Sequence, residues 1–183
     1  LTVSVPASAR IAVGIYALSL MAMFGASALY HRGPWTDAQR VWFRRLDHSM
    51  IFVLVAGTYT PFASLVIGNP LGTIMLAVVW TGALAGIVVT LFWIDAPAWV
   101  TALIYVVLGW ISVVMLPALV DEAGWMPVIL LGAGGVLYTM GAVVYARKKP
   151  DPVPHVFGYH EVFHVFVIAA ATVQFVAIAL YAV

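Results

Sequence analysis

Six long apolar runs alternate with short polar stretches along the chain, at residues 9–30, 47–67, 71–93, 99–119, 125–146 and 157–182. The hydrocarbon core of a bilayer takes about 20 mostly apolar residues per helix, and every run meets that length. The strict alternation of apolar and polar residues that marks a membrane strand is absent, so a barrel is not expected. The pattern predicts an all-α, polytopic bundle of membrane-spanning helices, forming one integral membrane domain over residues 1–183.

The polar connections predict an orientation. Arg32, Arg40, Arg44 and Arg45 lie between the first two runs, and Arg147, Lys148 and Lys149 lie between the last two. An even number of spans separates these loops, which puts them on one side. The other side carries Gly68-Asn69-Pro70, the acidic Asp121-Glu122 pair and a single basic residue, Arg10. The positive-inside rule then makes the basic side cytoplasmic and sends the C-terminus outside. Trp35, Trp42, Trp93 and Trp99 suit an interfacial belt on the basic side, with Trp125 on the other.

Composition sharpens the class. With 64% hydrophobic and 8% charged residues, the chain cannot clothe a soluble surface, which usually needs roughly 25% charged residues. Cys is absent, which excludes disulfides, thiolate metal sites and Cys nucleophiles. The formal net charge of +1 gives no reason to expect nucleic acid as a partner, whereas membrane lipids are expected throughout. The first residue is Leu1, so further residues upstream are expected, and no basic region marks a cleavable signal peptide.

This topology gathers the candidate chemistry at one depth. Ser27 and His31 close the first run, Asp47 opens the second, and His160 and His164 open the last, all on the basic side. Ionisable residues within membrane spans are expensive, and their agreement on one leaflet points to a site. His160 and His164 are one helical turn apart and share a face, as do Ser27 and His31. Three neutral imidazoles with one open position make a catalytic type of zinc site, in which the ion activates water. On this reading His31, His160 and His164 are the metal ligands. Asp47 is the proton acceptor and donor, and Ser27 lends a hydroxyl to water or to a substrate carbonyl. The competing reading is a set of interfacial polar side chains snorkelling towards headgroups.

Other features carry less. His160-Glu161-Val162-Phe163-His164 also fits the H-E-x-x-H pattern of zinc proteases. No further ligand-bearing motif follows it, and Glu161 equally suits the first turn of a helix. His48 is turned about 100° from Asp47 and reads as a supporting or interfacial residue. His155 sits in a solvated loop, and Gln174 is expected to hydrogen-bond a neighbouring helix. Pro61 should kink the second span, with nearby hydroxyls able to pair with freed carbonyls. Gly82 and Gly86 have the spacing of close helix packing.

The stretches Ser27-Ala28-Leu29-Tyr30-His31, Asp47-His48-Ser49-Met50-Ile51-Phe52 running on to Gly57-Thr58-Tyr59-Thr60-Pro61-Phe62, and His160-Glu161-Val162-Phe163-His164 resemble the hemolysin III family. That family is the bacterial branch of the progestin and adiponectin receptor group, in a superfamily with alkaline ceramidases. The resemblance implies a bacterial plasma-membrane protein of seven helices, amino terminus inside, with zinc near the cytoplasmic face. It implies that His31, His160 and His164 hold the ion and that Ser27 and Asp47 are the family's Ser and Asp. This chain shows six spans, so the family's first helix and its polar motif have no counterpart in the sequence. The function expected is hydrolysis of a lipid amide or ester. The alternative is a non-enzymatic regulator, receptor-like protein or cytolytic pore with structural zinc.

Overall fold

A computed structural model describes residues 6–154 and 156–182 of the chain. His155, expected in a solvated loop, lies outside the described residues. The structure is all-α, and among the described residues six helices are long and apolar enough to cross a membrane. No strand is formed there. One isolated bridge, Val153 to Phe157, lies in a loop. Two compact units are distinguished, one ending at Asp95 and one covering Ala96–Ala182.

The first unit holds α1 (Ala7–Arg32), α2 (Asp37–Pro61) and α3 (Leu71–Phe92). Its second span begins ten residues before the apolar run, because Thr36 caps α2. The Thr36 hydroxyl accepts the Gln39 N–H, and the Gln39 side chain accepts the Thr36 N–H in return. This reciprocal pairing satisfies two donors at the start of a helix. Arg40, Arg44 and Arg45 therefore lie on helical turns rather than in a loop, and Asp47 comes well inside the helix.

At the far end of α2, Pro61 has no N–H to return to Gly57, and the chain loosens into a π-helical segment, Phe62–Ile67. Hydroxyls brace the approach. Thr58 donates to the Leu54 carbonyl at 2.8 Å, Thr60 to Ala56 at 3.0 Å and Ser64 to Thr60 at 2.6 Å. Trp80 of α3 donates to the Thr60 hydroxyl at 3.3 Å.

Small residues let these helices close on one another. A Cβ on Gly57 would stand 2.2 Å from the Ser19 hydroxyl of α1, and one on Gly86 would stand 2.2 Å from the Phe52 ring. Phe52, only 1% exposed, thus fills the space that Gly86 of α3 leaves. Gly86 serves packing between α2 and α3, as its spacing suggested.

The second unit holds α4 (Ala98–Trp110), α5 (Leu116–Ala123), α6 (Trp125–Arg147) and α7 (Tyr159–Tyr181). α4 and α5 form one span, interrupted by the 3-10 turns of Ile111–Met115. Pro117, in the first turn of α5, explains the break, because it cannot donate back to the preceding turn. Trp110 of α4 donates to the Thr139 hydroxyl of α6 at 2.9 Å. Gln174 of α7 lies across Gly134 of α6, where a Cβ would come within 2.7 Å of its side chain. This is a packing contact between α6 and α7.

Candidate metal centre

Each unit holds a cluster of its own. In the first, Ser27 and His31 sit one turn apart near the end of α1. Asp47 comes up beside them on α2 and is 8% exposed. The Ser27 hydroxyl hydrogen-bonds the Asp47 carboxylate, and the His31 imidazole is near enough to interact with it electrostatically. A carboxylate buried in membrane surroundings needs such partners, since its desolvation is costly unless hydrogen bonds and opposite charge offset it. A serine has one proton to donate, and here Asp47 receives it.

In the second unit, α7 starts with an extended Gly158, and two acids close its open end. Glu161 Oε2 accepts the Gly158 N–H at 2.8 Å, and Asp151 Oδ1 accepts the Tyr159 N–H at 3.1 Å. With its register set there, α7 turns His160 and His164 towards one another, Nε2 to Nε2 at 3.1 Å, with the rings nearly perpendicular. Tyr145 of α6 and Phe163 lie against the pair, with ring centroids 6.3 and 6.0 Å from that of His160.

His31, His160 and His164 each offer a ring nitrogen, all within 4.8 Å of one another, and this triad could hold a metal ion. The donors suit that task. A tetrahedral zinc bound at about 2.0–2.1 Å sets its nitrogens roughly 3.3 Å apart, close to the 3.1 Å between His160 and His164. Imidazole also serves other transition metals, so the triad by itself leaves the identity of the ion open.

The other polar candidates go elsewhere. Glu161 is exposed and committed to capping α7, which removes it from the position a protease base would need. His48 is half-buried on α2, one residue past Asp47 and on a different face. Sequence reasoning missed Tyr145 and Asp151. Tyr145 gave no signal, whereas Asp151, eight residues before Tyr159, could have been noticed as an acid near a helix start.

The fold and these clusters define a multi-pass helical membrane protein with a histidine triad at the ends of its spans. The family model for Haemolysin-III related proteins matches residues 1–175, and the chain belongs to that family. It is 33% identical over 175 residues to Hemolysin-3 of Bacillus cereus, covering 96% of this chain and 77% of that protein. It is 31% identical to the Hemolysin-3 homolog of Bacillus subtilis, covering 92% of this chain and 76% of the relative. The human Monocyte to macrophage differentiation factor is 25% identical, covering 92% of this chain and 69% of that protein. No solved structure matches the chain.

Proposed function

We propose that this protein is a zinc-dependent intramembrane hydrolase of a lipid amide or ester, with its site at the cytoplasmic leaflet. The supporting observation is the triad of ring nitrogens within 4.8 Å of one another, together with a buried carboxylate beside His31. His31, His160 and His164 would hold the ion. Zinc at such a set supplies Lewis acidity, which makes water a nucleophile near neutral pH. Asp47 takes the proton from the attacking water and passes it to the leaving amine or alcohol. Ser27 donates to Asp47, which fixes the carboxylate's orientation and leaves its second oxygen free for proton transfer. Burial of Asp47 keeps competing water away from that transfer.

The cytoplasmic placement rests on charge: seven of the eight basic residues fall on the side that carries the site. Substrate would enter from the inner leaflet between helices.

A second reading is favoured by the name Hemolysin-3 on the Bacillus cereus relative: a lytic or regulatory membrane protein with a structural metal. A pore would need polar groups along a lumen. Thr58, Thr60 and Ser64 of the second span instead spend their hydroxyls on backbone carbonyls.

The test is fatty-acid release from N-acyl and ester lipids by zinc-loaded protein in vesicles, followed by mass spectrometry. Release that falls at least about a hundredfold in Asp47→Asn, with metal retained, is the expected result. No release from either lipid class, or an unchanged Asp47→Asn, rejects the hydrolase.

A further inference from the structure

Away from the triad, two polar atoms on one face of α2 are buried without a partner: Arg45 Nε and Ser49 Oγ. They are one helical turn apart, so they project on the same side. Both are donors. The Ser49 hydroxyl makes no hydrogen bond back to its own helix, unlike those of Thr58, Thr60 and Ser64 further along. The Arg45 guanidinium is met by no carboxylate among the described residues. The neighbouring Arg44 is engaged by Asp95, the acid that follows α3, at 3.0 Å. Trp42, 63% exposed, covers one face of the Arg45 guanidinium at 4.8 Å.

The place these donors occupy suggests their partner. Thr60 meets Trp80 and Phe52 meets Gly86, so α2 and α3 run antiparallel and this register sets Ser49 and Arg45 level with the closing turn of α3. Arg45 lies at the edge of the apolar run and Ser49 about 6 Å deeper. In a phospholipid the phosphate and the glycerol esters are separated in the same sense. A buried donor left unpaired is destabilising, and an arginine beside a tryptophan at headgroup level is suited to a phosphate.

We propose that Arg45, Ser49 and Trp42 form a binding site for an anionic glycerophospholipid. Arg45 donates to its phosphate, Ser49 to a glycerol-ester carbonyl, and Trp42 walls the headgroup. The lipid lodges along α2 and α3 as a resident ligand, separate from the hydrolytic reading of the histidine triad and not dependent on it.

The whole chain, reconstituted in phosphatidylcholine vesicles with spin-labelled phosphatidylglycerol or phosphatidylcholine, gives the relative association constant by electron spin resonance. The wild type is expected to prefer phosphatidylglycerol. Arg45→Gln should reduce that preference about fivefold, Arg40→Gln by clearly less, and Ser49→Ala by a few-fold. Should Arg45→Gln not fold, Arg45→Lys carries the same test. It keeps the charge but lacks the Nε–H, and an intermediate preference supports the site. Equal losses in Arg40→Gln and Arg45→Gln, or full preference in Arg45→Lys, would reduce the effect to a basic rim and overturn the proposal. So would a wild type without preference. Inorganic phosphate, at the ionic strength of a chloride control, should displace little label. Displacement down to the phosphatidylcholine level would assign the site to free phosphate instead of lipid.

Discussion

Two carboxylates stand beside histidines in the sequence, Asp47 before His48 and Glu161 after His160, and their surroundings could hardly differ more. Asp47 is buried on α2, bonded to Ser27 of α1 and close to His31. Glu161 is exposed at the head of α7 and accepts the Gly158 N–H at 2.8 Å. Adjacency to a histidine in a motif therefore says little about chemistry. The shared helical face and the solvent around the group decide it, since neighbours in a helix point about 100° apart. The residue that looked most like a protease base is a helix cap. The one with no motif of its own is buried and held by a hydroxyl and an imidazole.

That contrast can be broken in graded ways. The largest effect is expected from His164→Ala, which removes one of the three proposed ligands. Metal affinity, followed by elemental analysis after dialysis, should fall by more than the roughly 10–100-fold that loss of a supporting residue costs. Asp47→Asn comes next. It should keep its metal and lose about 10²–10⁴-fold in lipid hydrolysis, and a full-activity Asp47→Asn would transfer suspicion back to Glu161. Ser27→Ala frees the carboxylate without removing it, so a loss of about tenfold in turnover with unchanged metal content is expected, a bond to a charged group being worth about 1.5–3 kcal/mol. Glu161→Ala should have the smallest effect. It gives up a cap worth about 0.5–2 kcal/mol, which lowers the melting temperature by a few degrees and leaves metal and turnover alone. Hydrolysis lost in Glu161→Ala with the metal still bound would reverse the comparison.

Much of this architecture was legible in the chain. The six spans followed from run length alone, because lipid demands an unbroken apolar stretch and a fully bonded backbone. The start of α2 was not legible that way. Residues 37–46 are helical yet polar, and an apolar window ignores them; the readable signal was Thr36 three residues ahead of Gln39. The split of the fourth span was written in Pro117. At the site, charge topology supplied a common depth for Ser27, His31, Asp47, His160 and His164. Depth does not fix the direction a side chain takes around its helix axis. The bond from Ser27 to Asp47 depends on how α1 and α2 are rotated against one another, which small contacts such as Ser19 against Gly57 determine.

The early start of α2 has a mechanical consequence. Ten helical residues precede Asp47, a rigid stalk about 15 Å long at 1.5 Å per residue, and Arg40 and Arg45 along it are suited to headgroup phosphates. An anchored stalk acts as a depth gauge. If the bilayer thickens or thins, the carboxylate stays suspended the same distance from the phosphate plane. The mismatch then falls on the opposite end, where the π-helical turns after Pro61 interrupt the regular α-helical bonding.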